Sequence, residues 1–170
     1  VAYVMMAFRI AWYKVHEPLA FYSAYFYRRS QKGGFDAAMM TGGADAVRRK
    51  IREMKGKPLT ANEEDLLVTL EAVYEFNMRG FEFAPIDLYK SDAIKFRITE
   101  DGKLRPPFVS ISGLGETAAV SIVEQRKGKQ YLSVEEFSAD CPKVTKAHIE
   151  LLRTCGALGN LPETSQMTLF

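Results

Sequence analysis

The sequence predicts a mainly α chain with a small antiparallel β insertion, and three observations predict it. Apolar residues recur at helical spacing through the first 80 positions and again after Glu116. Between them, residues 81–109 change to short alternating runs, with Asp101-Gly102 as a hairpin turn between two extended stretches. Pro106-Pro107 excludes helix at the end of that region. The 170 residues, 47% apolar and 26% charged, suit one ordinary globular domain or two small ones.

The elements follow in order. Val1, Val4, Met5, Phe8, Trp12 and Val15 share one helical face, and Pro18 interrupts it. A second apolar helix, from about Leu19, ends in Arg28-Arg29, where cations suit a helix C-terminus. Gly33-Gly34 and Gly42-Gly43 punctuate the next stretch. A basic helix spans roughly Asp45 to Lys55 and stops at Gly56 and Pro58. Thr60 and Glu63 read as a capping box for the helix after them, and Gly80 closes it. Phe81–Phe83 and Ile94–Ile98 alternate as strands do. Helical periodicity returns over 116–127, 133–139 and 144–155, and the tail from Leu161 to Phe170 reads as a mobile extension.

Charge is unevenly spread. Residues 1–57 carry eleven Lys/Arg against four Asp/Glu, and residues 58–170 carry twelve against seventeen. The basic first third is compatible with a polyanion partner or with a solvated helix face. Cys141 and Cys155 lack metal-ligand spacing, read as buried or half-buried thiols, and fit a reducing cytosol. The apolar start is too short for a membrane span and lacks a signal-peptide layout, so no membrane partner is expected. It begins at Val in mid-pattern, as a piece of a longer protein would.

One motif has a mechanism. Ile111-Ser112-Gly113-Leu114-Gly115, followed by a helix with Ala119 and Ile122, has the helix-hairpin-helix pattern. Its glycines permit a tight turn and close backbone approach, and the helix N-terminus after them presents free N–H groups to a phosphate. Ser112, Gly113, Leu114, Gly115 and Thr117 are the expected backbone contacts, with Arg126 and Lys127 as nearby cations. Such a module grips phosphate without reading bases. Glu116 works against it, and a Gly-rich turn with no ligand is the plain alternative. A second helical hairpin follows around Val144-Thr145-Lys146.

Other chemistry is missing from the pattern. Asp87 and Asp92 read as solvated loop carboxylates, not as a two-metal pair. His16 and His148 read as structural or exposed. The run Phe21, Tyr22, Tyr25, Phe26, Tyr27 reads as core, with base stacking as the alternative.

These residues together resemble a known family. Ala2 through Pro18 resembles the late fingers segment of the PolC-type DNA polymerase III alpha subunit. Asp87-Leu88-Tyr89-Lys90-Ser91, then Pro106-Pro107-Phe108 with the Gly113-Leu114-Gly115 hairpin, resembles its following elements in order. Gln166-Met167-Thr168-Leu169-Phe170 is similar to its clamp-binding peptide, with Met167 and Thr168 in place of the commoner Leu and Ser.

The resemblance implies a C-terminal part of a replicative DNA polymerase with an attached 3′–5′ exonuclease. It implies a helical end of the fingers over 1–80, a duplex-binding domain with helix-hairpin-helix over 81–160, and a flexible clamp-binding tail over 161–170. The partners expected are double-stranded primer-template DNA, the beta sliding clamp through Gln166, Met167, Leu169 and Phe170, and the rest of the polymerase and replisome. The location expected is the bacterial cytoplasm. No catalytic carboxylate or metal ligand is expected here. Magnesium is expected for the parent polymerase and no cofactor for this segment, which should be inactive alone. The competing readings are a stand-alone, non-enzymatic DNA-binding adaptor and a small enzyme whose site lacks a familiar motif.

Overall fold

A computed structural model describes residues 1–165. Eight α-helices and a two-stranded sheet are present among them: α1 (Ala2–His16), α2 (Pro18–Ser30), α3 (Ala37–Met40), α4 (Ala44–Lys55), α5 (Ala61–Met78), β1 (Arg97–Ile98), β2 (Leu104–Arg105), α6 (Glu116–Gln125), α7 (Val134–Asp140) and α8 (Lys146–Thr154). A 3-10 turn at Phe108–Ser110 follows the two prolines.

The α1–α2 corner falls at Glu17. Pro18 forces the residue before it out of helical geometry, and Glu17 has φ −132° and ψ 58°. Pro18 then starts α2, where its missing N–H costs nothing. The capping box on α5 is formed: the Thr60 hydroxyl accepts from the Glu63 N–H, and the Glu63 carboxylate accepts from the Thr60 N–H at 2.9 Å. That N–H, with the Lys57 ammonium and the Thr60 hydroxyl, holds the Glu63 carboxyl at about 2, down from 4.5. Gly80, at φ +85°, ends α5 with its N–H on Asn77 and the Phe81 N–H on Phe76, a Schellman closure.

The core crosses the boundary expected at residue 80. Tyr22 and Phe26 of α2, Phe35, Phe76 of α5, Phe83 and Phe96 pack ring on ring, with centroids 4.7 Å apart for Phe76–Phe83 and 5.0 Å for Phe35–Phe96. The aromatic run on α2 is therefore core at Tyr22 and Phe26, both buried. Arg29 ties α2 to α5 through the Thr69 hydroxyl at 2.7 Å and the Asp65 carboxylate at 2.9 Å.

Two expectations change. Only Arg97 and Ile98 of the alternating run pair as strand, against Arg105 and Leu104. The Asp92 carboxylate takes the N–H groups of Ile94 and Lys95, and that turn consumes the donors a longer strand would need. Burial pushes the Asp92 carboxyl up, but these bonds and Arg97 outweigh it and hold it below its ordinary value. The tail is fixed further than expected. The Pro162 and Glu163 carbonyls accept the Val134 and Glu135 N–H groups at the start of α7, at 2.8 and 3.1 Å. The clamp-peptide residues Gln166, Met167, Leu169 and Phe170 lie outside the described residues.

Candidate nucleic-acid interface

The 3-10 turn, the Ile111–Gly115 loop and α6 form the first helical hairpin. Ile111 and Leu114 point inward, 6% and 3% exposed, and the Leu114 N–H closes the turn on the Ile111 carbonyl at 3.0 Å. Between them Gly113 has φ +90°, and a Cβ there would stand 3.1 Å from the Leu151 side chain of α8. A side chain at 113 meets strain and a neighbour at once. Gly113 therefore builds the turn.

Gly115 does something else. Its φ of −64° and ψ of 159° suit any residue, and a Cβ there would meet nothing within 4 Å. Packing does not require glycine at 115. Gly115 is also the N-cap of α6, and no side chain caps that helix among the described residues. The Ala119 N–H is the first to bond back, to the Gly115 carbonyl at 3.1 Å, so the N–H groups of Glu116, Thr117 and Ala118 have no intrahelical partner. Gly115, Glu116 and Thr117 are exposed, and the bare glycine leaves room for an anion to approach these donors. Behind them Ala118, Ala119 and Ile122 are buried and hold α6 in place.

A concavity of about 380 Å³ lies beside the hairpin, lined by Gly33, Phe35, Asp36, Leu66, Gly113 and Gly115. The Gly33–Asp36 loop is thus the facing wall of the hairpin. The glycine pair at 33–34 marked a loop in the sequence, but nothing in the sequence placed it here.

The expected site residues separate into two groups. Ser112, Gly113, Gly115 and Thr117 are together at the exposed hairpin, and Lys127 is exposed with no carboxylate partner among the described residues. Leu114 is withdrawn: its side chain is core and its N–H is used in the turn.

Arg126 is also withdrawn. Its guanidinium donates to the carbonyls of Leu88 and Ser91 and lies over the Phe108 ring, 5.5 Å from the centroid. Burial lowers its pKa from the ordinary arginine value, against the pull of Asp87 and Asp92. The Asp87–Ser91 segment is built to receive it. The Asp87 carboxylate accepts from the Tyr89 and Lys90 N–H groups, and the buried Ser91 hydroxyl accepts from the Asp87 N–H. Asp87 and Asp92 therefore cap turns.

The second hairpin runs from α7 through Cys141–Thr145 into α8. Cys141 and Val144 are buried, and the Val144 N–H bonds to the Cys141 carbonyl at 2.9 Å. Burial raises the Cys141 thiol above its ordinary value, so it is a packing group. Here the N-cap is Thr145, whose hydroxyl accepts from the His148 N–H while His148 Nδ1 accepts from the Thr145 N–H. This helix start is closed by its own side chains.

Among the described residues, no group of three or more His, Cys, Asp and Glu is placed to hold a metal ion. No helix among them is long and apolar enough to cross a membrane.

Comparison with known proteins agrees with this geometry. The family model for the helix-hairpin-helix motif matches residues 80–167, which contain both hairpins. The chain is 49% identical over its whole length to DNA polymerase III PolC-type of Thermotoga petrophila, and 47% identical to that of Thermotoga maritima. It is 44% identical to the PolC-type enzyme of Caldanaerobacter subterraneus. In each case it spans about 12% of the relative's length. The chain therefore belongs to the helix-hairpin-helix family, and its similarity to PolC-type DNA polymerase III runs through all of its elements.

Proposed function

We propose that this chain is the duplex-gripping part of a replicative DNA polymerase. The reading is carried by one observation: α6 begins at an uncapped glycine whose Cβ position is empty, with three N–H groups that have no intrahelical partner. A phosphate oxygen is the ligand such donors suit, and the contact carries no base information. Lys127 adds a cation at the far end of α6. The family similarity supplies the polymer: primer-template duplex, bound without sequence preference. Nucleotide transfer with magnesium, and the exonuclease, belong to other parts of the longer cytoplasmic protein. In this reading Gln166, Met167, Leu169 and Phe170 dock on the sliding clamp. An amide beside two adjacent large apolar groups suits a partner's apolar pocket better than open water.

Duplex binding by fluorescence anisotropy tests the grip. With two to four phosphates engaged, log K falls against log salt with a slope of about −2 to −4. Gly115→Val should leave the melting temperature in place and weaken binding. A folded Gly115→Val chain that binds as the parent does, or binding independent of salt, contradicts the proposal. Calorimetry of the clamp with the whole chain and with one lacking 166–170 tests the tail; equal affinities would end that part of the reading.

A further inference from the structure

The strongest unexplained charge lies away from the hairpin, on α4. Val47 and Met54 anchor that helix in the core, and its other side carries Arg48, Arg49 and Arg52, all exposed. The lysines around them are neutralised: Lys50 by Glu53 at 3.0 Å, Lys55 by Glu71 at 2.6 Å, Lys57 by Glu63 at 2.9 Å. The three arginines have no carboxylate or carbonyl partner among the described residues. Arg48 and Arg52 are helical neighbours at i,i+4, and Arg49 and Arg52 at i,i+3. Like charges at those spacings weaken a helix, and only Arg52, in the last turn, gains from the helix C-terminus in return.

We infer that this face is a second nucleic-acid contact, in which Arg48 and Arg52 hold phosphates of a single strand lying along the α4–α5 groove and Arg49, beside them on the same helix, adds to the positive field at its edge. That groove, of about 610 Å³, is lined by Arg48, Ile51, Arg52, Lys55, Glu71 and Tyr74. Its chemistry is that of a nucleotide repeat. Guanidinium forks match phosphate oxygens in pairs, and the half-buried Tyr74 ring with Ile51 gives a base an apolar surface to lie against. Lys55 holds Glu71 and reduces its repulsion of the strand. An acidic peptide would satisfy the arginines but leave the Tyr74 side without a matched partner. This contact does not depend on the hairpin reading, because it uses side-chain cations on a different helix.

The test is anisotropy of the whole chain with a short labelled oligothymidylate strand over a series of salt concentrations. Arg48→Gln/Arg49→Gln/Arg52→Gln should weaken binding by about tenfold at low salt, with the salt slope shallower by about 2, at roughly 0.7 per phosphate on a single strand. Its melting temperature should stay close to the parent's, since the repulsion removed offsets the loss of Arg52 at the helix C-terminus. Arg9→Gln/Lys90→Gln/Lys95→Gln removes the same formal charge from scattered positions and should change little. Tyr74→Ala should weaken binding without changing the slope. Parental binding by the α4 variant overturns the inference. So does an equal loss in the scattered variant, which would make the effect one of net charge. Displacement of the strand by polyglutamate at equal charge concentration would assign the face to acidic peptides instead.

Discussion

The two helical hairpins close with the same backbone hydrogen bond but differ in their turns, of which only the first has a positive-φ residue, Gly113, and in the chemistry of their helix starts. In each, a buried residue's carbonyl accepts the N–H of another buried residue three positions on: Ile111 and Leu114 in the first, Cys141 and Val144 in the second. In each, the next residue is the N-cap, Gly115 or Thr145. In the second, the Thr145 hydroxyl accepts the His148 N–H and His148 Nδ1 accepts the Thr145 N–H. The first is left open. The difference leaves the start of α6 with no side-chain cap, whereas at the start of α8 a side chain already takes the N–H of the third helical residue.

The largest effect expected separates anchor from contact. Leu114→Ala should cost about 2–5 kcal/mol of stability, as a buried leucine truncated in a packed core does, measured by denaturant unfolding. Any loss of DNA binding should follow the unfolded fraction. A stable Leu114→Ala chain with lost binding would return Leu114 to the interface.

The next separates the two glycines. Gly113→Ala puts a side chain at φ +90° against Leu151 and should destabilise by about 1–2 kcal/mol or more. Gly115→Ala should be within a few tenths of a kcal/mol of the parent, as an uncrowded position with ordinary dihedrals allows. Equal losses at both positions would mean that Gly115 is also structural.

Thr145→Ala removes the cap of the second hairpin. It should cost about 1 kcal/mol, the usual loss at an N-cap, and leave duplex affinity unchanged. A fall in affinity would give the second hairpin a share of the grip.

Acid should loosen the second hairpin. Asp140, just before Cys141, accepts from Lys129 at 2.7 Å and from the Tyr131 hydroxyl at 2.7 Å. Lys129, then Tyr131, hold its carboxyl below the ordinary 3.8. A depressed carboxyl contributes stability that is fully present above the unfolded value and lost as pH falls through the folded one. Amide protection factors around 129–145, compared with those of Asp140→Asn, should therefore be flat above about pH 5 and fall below 3.8. Unchanged protection through that range would remove Asp140 from the account.

Much of this was readable from residue pattern, and the failures have physical causes. The α4 and α5 helices, the Thr60–Glu63 cap and the hairpin turn at Asp101-Gly102 carry local signals: period, capping chemistry and turn residues. What the sequence hid depends on distant partners. Arg126 reads as a surface cation because its acceptors, the Leu88 and Ser91 carbonyls, are more than thirty positions away. The 94–98 run reads as strand because alternation does not reveal that Asp92 takes two of its N–H groups. The short α3 escaped because four residues give no period; only Asp36, accepting from the Ala38 N–H, marks it. The apolar residues of α1 recur at helical spacing, yet none of α1 is buried among the described residues. The site follows the same rule: the Gly113–Gly115 spacing found the hairpin, but only the contacts around each glycine show that the turn needs glycine at 113 and that packing does not need it at 115.

The most direct measurement installs the second hairpin's cap in the first. Gly115→Thr places a capping hydroxyl where a Cβ meets no neighbour, so α6 should be at least as stable as before, by thermal melting. The same hydroxyl occupies a donor that the phosphate needs and fills the approach. Duplex affinity should fall by about tenfold or more, since a hydrogen bond to a charged group contributes about 1.5–3 kcal/mol. A Gly115→Thr chain that melts at or above the parent's temperature and binds duplex with the parent's affinity would contradict the claim that the open helix start is the phosphate site.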